Sequence, residues 1–143
     1  MSQRFLFTGL ENGRNRPRSL EELSVVDVGL DFLGDRVKKQ KFGPNYKGLC
    51  IFHEEKTPSF YLKPKWDFYA CYGACKVRGG PVELLFAVAS NPADYLMACF
   101  GIDFSRKEDA SHFEAVVFAE RKRLNKVYWG GVARERYQLF FGF

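Results

Sequence analysis

Three cysteines and a histidine, spaced Cys50-x2-His53-x17-Cys71-x3-Cys75, constrain this 143-residue chain more than any other feature. One tetrahedral zinc ion requires two short ligand pairs held apart by about a hairpin of sequence. Each pair occupies a tight turn, and the hairpin folds back to join the turns. With four protein ligands no position is left for water, so the single Zn2+ expected here is structural rather than a Lewis acid. The same cysteines could pair, with Cys99, as two disulfides. His53, three residues after Cys50, supplies a fourth ligand that disulfides leave unexplained, and the metal reading is preferred. Cys99 is then a small apolar residue on a helix-like stretch, and His112 lies far along another helix, outside the ligand set.

The chain has no apolar run near the roughly 20 residues that cross a bilayer. Met1–Gly9 lacks the basic start and long apolar run of a secretory signal. A cytoplasmic location is expected, with no membrane partner. In a reducing compartment clustered thiols are more often metal ligands than disulfides.

Charge is concentrated. Arg36, Lys38, Lys39, Lys41, Lys47, Lys56, Lys63 and Lys65 face only Glu54 and Glu55 within residues 36–65, while the whole chain carries +5. That field lies on the segment bearing the first ligand pair, and a phosphate backbone is its natural counterpart.

Around the site the pattern is of short strands and turns. Val37–Phe42 and Tyr46–Cys50 read as one strand pair about Gly43-Pro44-Asn45; Pro58–Lys63 and Asp67–Cys71 read as a second, turned through Pro64-Lys65-Trp66. Each returning strand ends in a ligand pair. Before them, Ser19 with Glu22 predicts a capping box for a helix over about 20–30. After them, Gly79-Gly80 release the chain and Pro81 begins a helix to about Ala89. Asn91 caps the next, with Pro92 at its first position and Gly101 at its end. Ser105 with Glu108 predicts a last helix to roughly Tyr128, with Ala110, Phe113, Val117, Leu124 and Tyr128 on one side. The predicted class is α+β: a zinc-ribbon antiparallel sheet flanked by helices.

The stretch Tyr46-Lys47-Gly48-Leu49-Cys50-Ile51-Phe52-His53-Glu54-Glu55-Lys56-Thr57-Pro58-Ser59-Phe60, followed by Phe68-Tyr69-Ala70-Cys71-Tyr72-Gly73-Ala74-Cys75, resembles the N-terminal zinc-binding domain of bacterial and phage-type DNA primases. Val25-Val26-Asp27-Val28 resembles that family's helix before the ribbon, and Gly79-Gly80-Pro81-Val82-Glu83-Leu84-Leu85-Phe86 its turn into the closing helix. The similarity covers about residues 20–104. It divides the chain into a basic arm (1–18), a primase-type zinc-binding domain (19–104) and a C-terminal helical extension (105–143). By the resemblance Cys50, His53, Cys71 and Cys75 are the zinc ligands, and the domain contacts single-stranded template DNA to support primer RNA synthesis in replication. A catalytic primase domain or polypeptide and a replicative helicase are the further partners it implies.

Two departures stand out. Ile51 replaces the family's proline. Three residues, Tyr72-Gly73-Ala74, separate the second pair where a tight knuckle has two, which is expected to loosen the amide contacts to the Cys71 and Cys75 thiolates; Gly73 is expected to give that turn latitude. The family's acidic polymerising centre includes an Asp-x-Asp, and none occurs here. No catalytic activity is expected of this chain alone, whether it is a fragment, a truncated relative or a free-standing accessory.

Single strands are held by a basic groove and by aromatic faces on which bases stack. Lys47, Lys56, Lys63 and Lys65 supply the first; Tyr61 and above all Trp66, in a turn between cations, supply the second. Pro58, Phe60 and Phe68 are assigned to structure. Arg121-Lys122-Arg123 with Lys126 is read as the solvated face of a helix. An alternative function is a zinc ribbon that docks on another replication protein through Leu139–Phe143 and its aromatic face. A redox switch at Cys71 and Cys75 ranks below both.

Overall fold

The computed structural model describes residues 17–124. Most of the basic arm, Lys126, Tyr128 and Leu139–Phe143 lie outside the described residues. Helix α1 spans Val25–Phe32, and strands follow at Val37–Lys39 (β1), Tyr46–Gly48 (β2), Phe60–Lys63 (β3), Phe68–Cys71 (β4) and Arg78–Gly79 (β5). Helices α2 (Pro81–Val88), α3 (Pro92–Phe100) and α4 (Lys107–Arg123) complete the described residues. The five strands form one sheet in sequence order, antiparallel throughout. This is the α+β arrangement that the sequence predicts. The two-residue β5 is additional, and the first hairpin is shorter than expected.

Strand register sorts side chains onto two faces. Val37, Gly48, Phe60 and Cys71 form one cross-strand row and Tyr46, Leu62, Tyr69 and Gly79 another. Side chains alternate along a strand, so both rows share a face. Phe60, Leu62 and Tyr69 are fully buried there, in one core with Val25 and Val28 of α1, Leu84 and Leu85 of α2, Tyr95 and Leu96 of α3, and Phe113 and Val117 of α4. The sheet's inner face is therefore a packed core in its own right. The helices cover it, and any metal contribution falls on the loops.

Helix starts depart from the sequence prediction in two places. Ser19 caps nothing with its side chain; residues 20–22 form a single 3-10 turn, and α1 begins five residues later under a capping box between Ser24 and Asp27. The Val25 amide also donates to Asp67 Oδ1 at 2.8 Å, a carboxylate brought by the β3–β4 turn. At α4, Ser105 does not pair with Glu108. Its amide and hydroxyl both donate to Asp103 Oδ1, and the Asp103 amide donates to Asp109 Oδ2. By contrast, α2 carries Pro81 at its first turn, and α3 is capped by Asn91 and ended by Gly101 at φ 68°, as predicted.

Helix α4 is tied to the rest by a buried carboxylate. Glu120 accepts from the amides of Val82 (3.0 Å) and Glu83 (3.1 Å), buried first-turn donors of α2 that have no acceptor within the helix. A Cβ on Gly80 would collide with that carboxyl group, so glycine there is a matter of space. Burial pushes the Glu120 pKa up to about 7, against the pull of the two amides and Arg123. Because the folded protein holds this proton more tightly than the unfolded chain, the contribution is complete below about pH 4.5. It is lost as pH rises to about 7, on the order of 3 kcal/mol. Urea unfolding of wild type and Glu120→Gln at pH 5 and pH 8 checks this: the wild type is expected to lose more stability across that interval than the variant. Equal losses would contradict it.

Candidate metal centre and nucleic-acid face

The core side of the ribbon ends in a cluster of soft ligands. Cys50 follows β2, Cys71 closes β4, and the loop after it returns Cys75 to the same point. One ligand atom from each of Cys50, His53, Cys71 and Cys75 lies within 4.8 Å of all the others. All three cysteines are free thiols. Cys50 Sγ and Cys75 Sγ are 3.5 Å apart, near the roughly 3.8 Å of two sulfurs on one tetrahedral zinc with zinc–sulfur distances of about 2.3 Å. His53 Nδ1 is buried with no hydrogen-bond partner, a cost that a metal bond would remove. The residues fit a zinc ion.

The lengthened knuckle keeps its amide contacts. The Phe52 amide donates to Cys50 Sγ at 3.4 Å, the Gly73 amide to Cys71 Sγ at 3.2 Å, and the Val77 amide to Cys75. Each thiol thus receives the N–H two residues on, and the expected loosening is not found. Lys76, with φ 58°, takes the left-handed conformation that closes the longer loop. Gly73 serves by being small, since a Cβ there would lie 2.6 Å from the Ser59 hydroxyl.

Sequence reasoning missed Glu55, which organises the loop. Its Oε2 accepts from the amides of Cys50 (2.8 Å) and Ser59 (3.0 Å), and its Oε1 accepts the Ser59 hydroxyl and lies 3.2 Å from His53 Nε2. A carboxylate on the outer nitrogen of a ligating histidine fixes ring orientation and leaves the other nitrogen for the metal. Ser59 in turn lies 3.4 Å from Cys71 Sγ, linking the two halves. Burial holds Cys50 and Cys75 above the ordinary thiol range. At Cys71 burial works the same way, but the Ser59 hydroxyl and Gly73 amide outweigh it and lower the thiol. Cys50, Cys71 and Cys75 would hold a metal as thiolates, with burial opposing that charge most at Cys50 and Cys75.

The matching family model covers residues 18–112, as the DnaG zinc ribbon or CHC2 zinc finger. The chain belongs to that family. It is 33% identical over 115 residues to a DNA primase of Geobacillus stearothermophilus, spanning 73% of this chain and 19% of that protein. Over 70 residues it is 43% identical to a DNA primase of Haemophilus influenzae, 49% of this chain and 12% of that one. Over 75 residues it is 44% identical to a DNA primase of Halalkalibacterium halodurans, 52% and 12% of the two chains. The matched segments therefore span at most about a fifth of these relatives. Among the described residues no helix is long and apolar enough to cross a membrane.

The sheet's outer face carries Lys47, Tyr61 and Lys63 of the other predicted residues, while Lys65 and Trp66 lie in the β3–β4 turn. Lys38, Lys47, Tyr61, Ala70 and Arg78 form one cross-strand row, with Lys63 beside Phe68 on the same face. Lys63 Nζ sits 4.7 Å from the Tyr72 ring centroid and 5.6 Å from that of Tyr61; Lys47 Nζ is 5.4 Å from Tyr61 and the Arg78 guanidinium 5.2 Å from Tyr72. The two tyrosine rings meet edge to face at 5.5 Å. Tyr72 and Arg78 were not predicted. Trp66 is 63% exposed, with Lys65 Nζ 5.4 Å from its ring. Phe68 is buried with Ala70 and Leu124, as expected of a structural residue. Lys56 makes none of these ring contacts; it lines a groove of about 710 Å³ beside the metal centre with Arg36, Leu49, Phe52 and His53.

Glu55→Gln leaves the four ligands in place but removes the charge opposite His53. Competition with a chromogenic chelator is expected to show zinc held about 10- to 100-fold more weakly. An unchanged affinity would mean that Glu55 only shapes the loop. Chelation of the wild type is expected to expose the amides of residues 50–59 and 71–77 to hydrogen exchange while those of β3 and α2 stay protected. Uniform loss of protection would put the metal in control of the whole fold.

Proposed function

We propose that this chain binds single-stranded template DNA on the outer face of its ribbon and supports primer synthesis beside a catalytic primase domain or polypeptide. Cys50, His53, Cys71 and Cys75 hold one structural zinc, which ties the two ligand loops and takes no part in bond making. The chain adds no nucleotides by itself. Its setting is the cytoplasmic replication apparatus, where a replicative helicase is a further partner.

The observation that supports this reading is the interleaving of cations with aromatic rings on one exposed face. Lys47, Lys63 and Arg78 supply cations for phosphates beside the Tyr61 and Tyr72 rings, and Trp66 with Lys65 adds an exposed ring in the adjoining turn. Base stacking contributes about 1–3 kcal/mol per ring, and each phosphate contact adds salt dependence. The docking alternative would use the same aromatic face, without the cations, together with Leu139–Phe143, which lies outside the described residues.

Fluorescence anisotropy with a labelled oligothymidylate tests the proposal. About four phosphate contacts, from Lys47, Lys63, Lys65 and Arg78, give an expected slope of log affinity against log salt of roughly −3. Lys63→Ala should make the slope shallower by about 0.7, whereas Tyr61→Ala should weaken binding without changing it. Binding that is absent at low salt, or indifferent to salt, would overturn the reading.

A further inference from the structure

The turn that presents Trp66 is held from both sides. On one side, the Asp67 carboxylate accepts the Val25 amide at the start of α1, at 2.8 Å. On the other, Arg123 in the last turn of α4 donates Nη1 to the Trp66 carbonyl at 2.7 Å and Nη2 to the Asp67 carbonyl at 3.1 Å. The two carbonyls are adjacent, so a single planar guanidinium spans the peptide unit that follows Trp66. Asp67 itself has φ 55°, the left-handed turn conformation that aspartate adopts more readily than most non-glycine residues. Three residues before Arg123, Glu120 fixes α4 to the first turn of α2. The next residue after Arg123, Leu124, packs on Phe68 and Ala70 of the outer face. Helix α4 therefore reaches the turn already anchored, and the guanidinium has a fixed base.

Trp66, meanwhile, has little packing of its own. Its side chain is mostly exposed, and its one ring contact among those described is the Lys65 ammonium. An exposed ring on a free turn would lose rotational and backbone freedom on stacking, and that cost would be subtracted from the stacking free energy. A ring on a turn already fixed at its carbonyls loses less.

We infer that Arg123 is a positioning residue for strand binding: by gripping the Trp66 and Asp67 carbonyls it pre-sets the turn so that the Trp66 ring is ready to stack on a base. The inference rests on the proposed use of the outer face. It also revises the sequence reading of Arg121-Lys122-Arg123 as only a solvated helix face, because Arg123 is committed to the hairpin turn. A direct phosphate contact by Arg123 is the competing role, and the two differ in what they do to Trp66.

The test uses the full chain with Trp129→Phe, leaving Trp66 as the single tryptophan. In the free protein, Arg123→Gln is expected to raise the amplitude of the fast, local component of the Trp66 anisotropy decay, reporting a looser turn. In binding to oligothymidylate, Arg123→Gln is expected to weaken affinity about fivefold, in the lower range of one lost stack, with the salt slope unchanged. In a Trp66→Ala background the same substitution should cost nothing, because its effect passes through the ring. Arg123→Lys keeps the charge but cannot span both carbonyls; it should behave like the glutamine variant. The lysine variant also serves if the glutamine variant fails to fold, as judged by zinc content and far-ultraviolet circular dichroism. Additive losses with a shallower salt slope, or a lysine variant that binds like wild type, would make Arg123 a phosphate contact and overturn the inference. An unchanged anisotropy decay would also overturn it. If the parent chain binds no oligonucleotide, the proposed function itself fails and takes this role with it. If the parent binds and only the Arg123 results disagree, the proposed function stands without the clamp.

Discussion

The metal centre of this molecule depends on two loops meeting at one point. The first leaves β2 through Cys50 and His53; the second leaves β4 through Cys71 and returns at Cys75. Each loop sends some apolar side chains into the core, Ile51 and Phe52 from the first and Val77 from the second. What draws them together is a set of three thiols and a buried, unpartnered imidazole nitrogen, braced by a carboxylate that bonds to both the loop backbone and the histidine. Such a constellation is costly without an ion and favourable with one. Apparent zinc binding free energies of about 10–16 kcal/mol in small zinc domains exceed what a few loop hydrogen bonds contribute.

The sheet then divides its labour by the period of two. The inner face is a conventional core, with Phe60, Leu62 and Tyr69 under four helices. The outer face, one residue out of step, carries Lys47, Tyr61, Lys63 and Arg78. A register slip of one residue would exchange the two faces, so the buried row also fixes which cations and rings face solvent. Helix α4 links the two sides. Its Phe113 and Val117 belong to the core, its Glu120 caps α2, and Arg123 and Leu124 reach the outer hairpin.

Much of this was legible from residue order. The ligand spacing, the two hairpins, Pro81 opening α2 and the Asn91/Gly101 limits of α3 all follow from local chemistry, and local chemistry prevails there. It failed where a distant group decides. Ser19 with Glu22 and Ser24 with Asp27 are equally good capping pairs on paper; the Asp67 carboxylate, 42 positions from Val25, favours the second. Ser105 was drawn to Asp103 rather than to the helix behind it. Glu55 was hidden beside Glu54 in a run read only for its charge, although a carboxylate two residues from a ligating histidine is a usable signal. Tyr72 and Arg78 could not be placed without knowing that Lys76 takes a left-handed conformation, which sets the path of the chain into β5. Arg123 looked like one of three interchangeable cations because its hydrogen-bond acceptors are backbone carbonyls and its ion-pair partner, Asp67, is 56 positions away, which no sequence pattern marks.

The most direct test of the metal account is zinc K-edge X-ray absorption on the purified chain, combined with elemental analysis. One zinc per chain is expected, coordinated by three sulfurs at about 2.3 Å and one nitrogen at about 2.0 Å. Cys99→Ser should leave that spectrum unchanged. A metal-free chain that keeps the Cys50–Cys75 loops ordered, or a zinc bound without a histidine nitrogen, would contradict it.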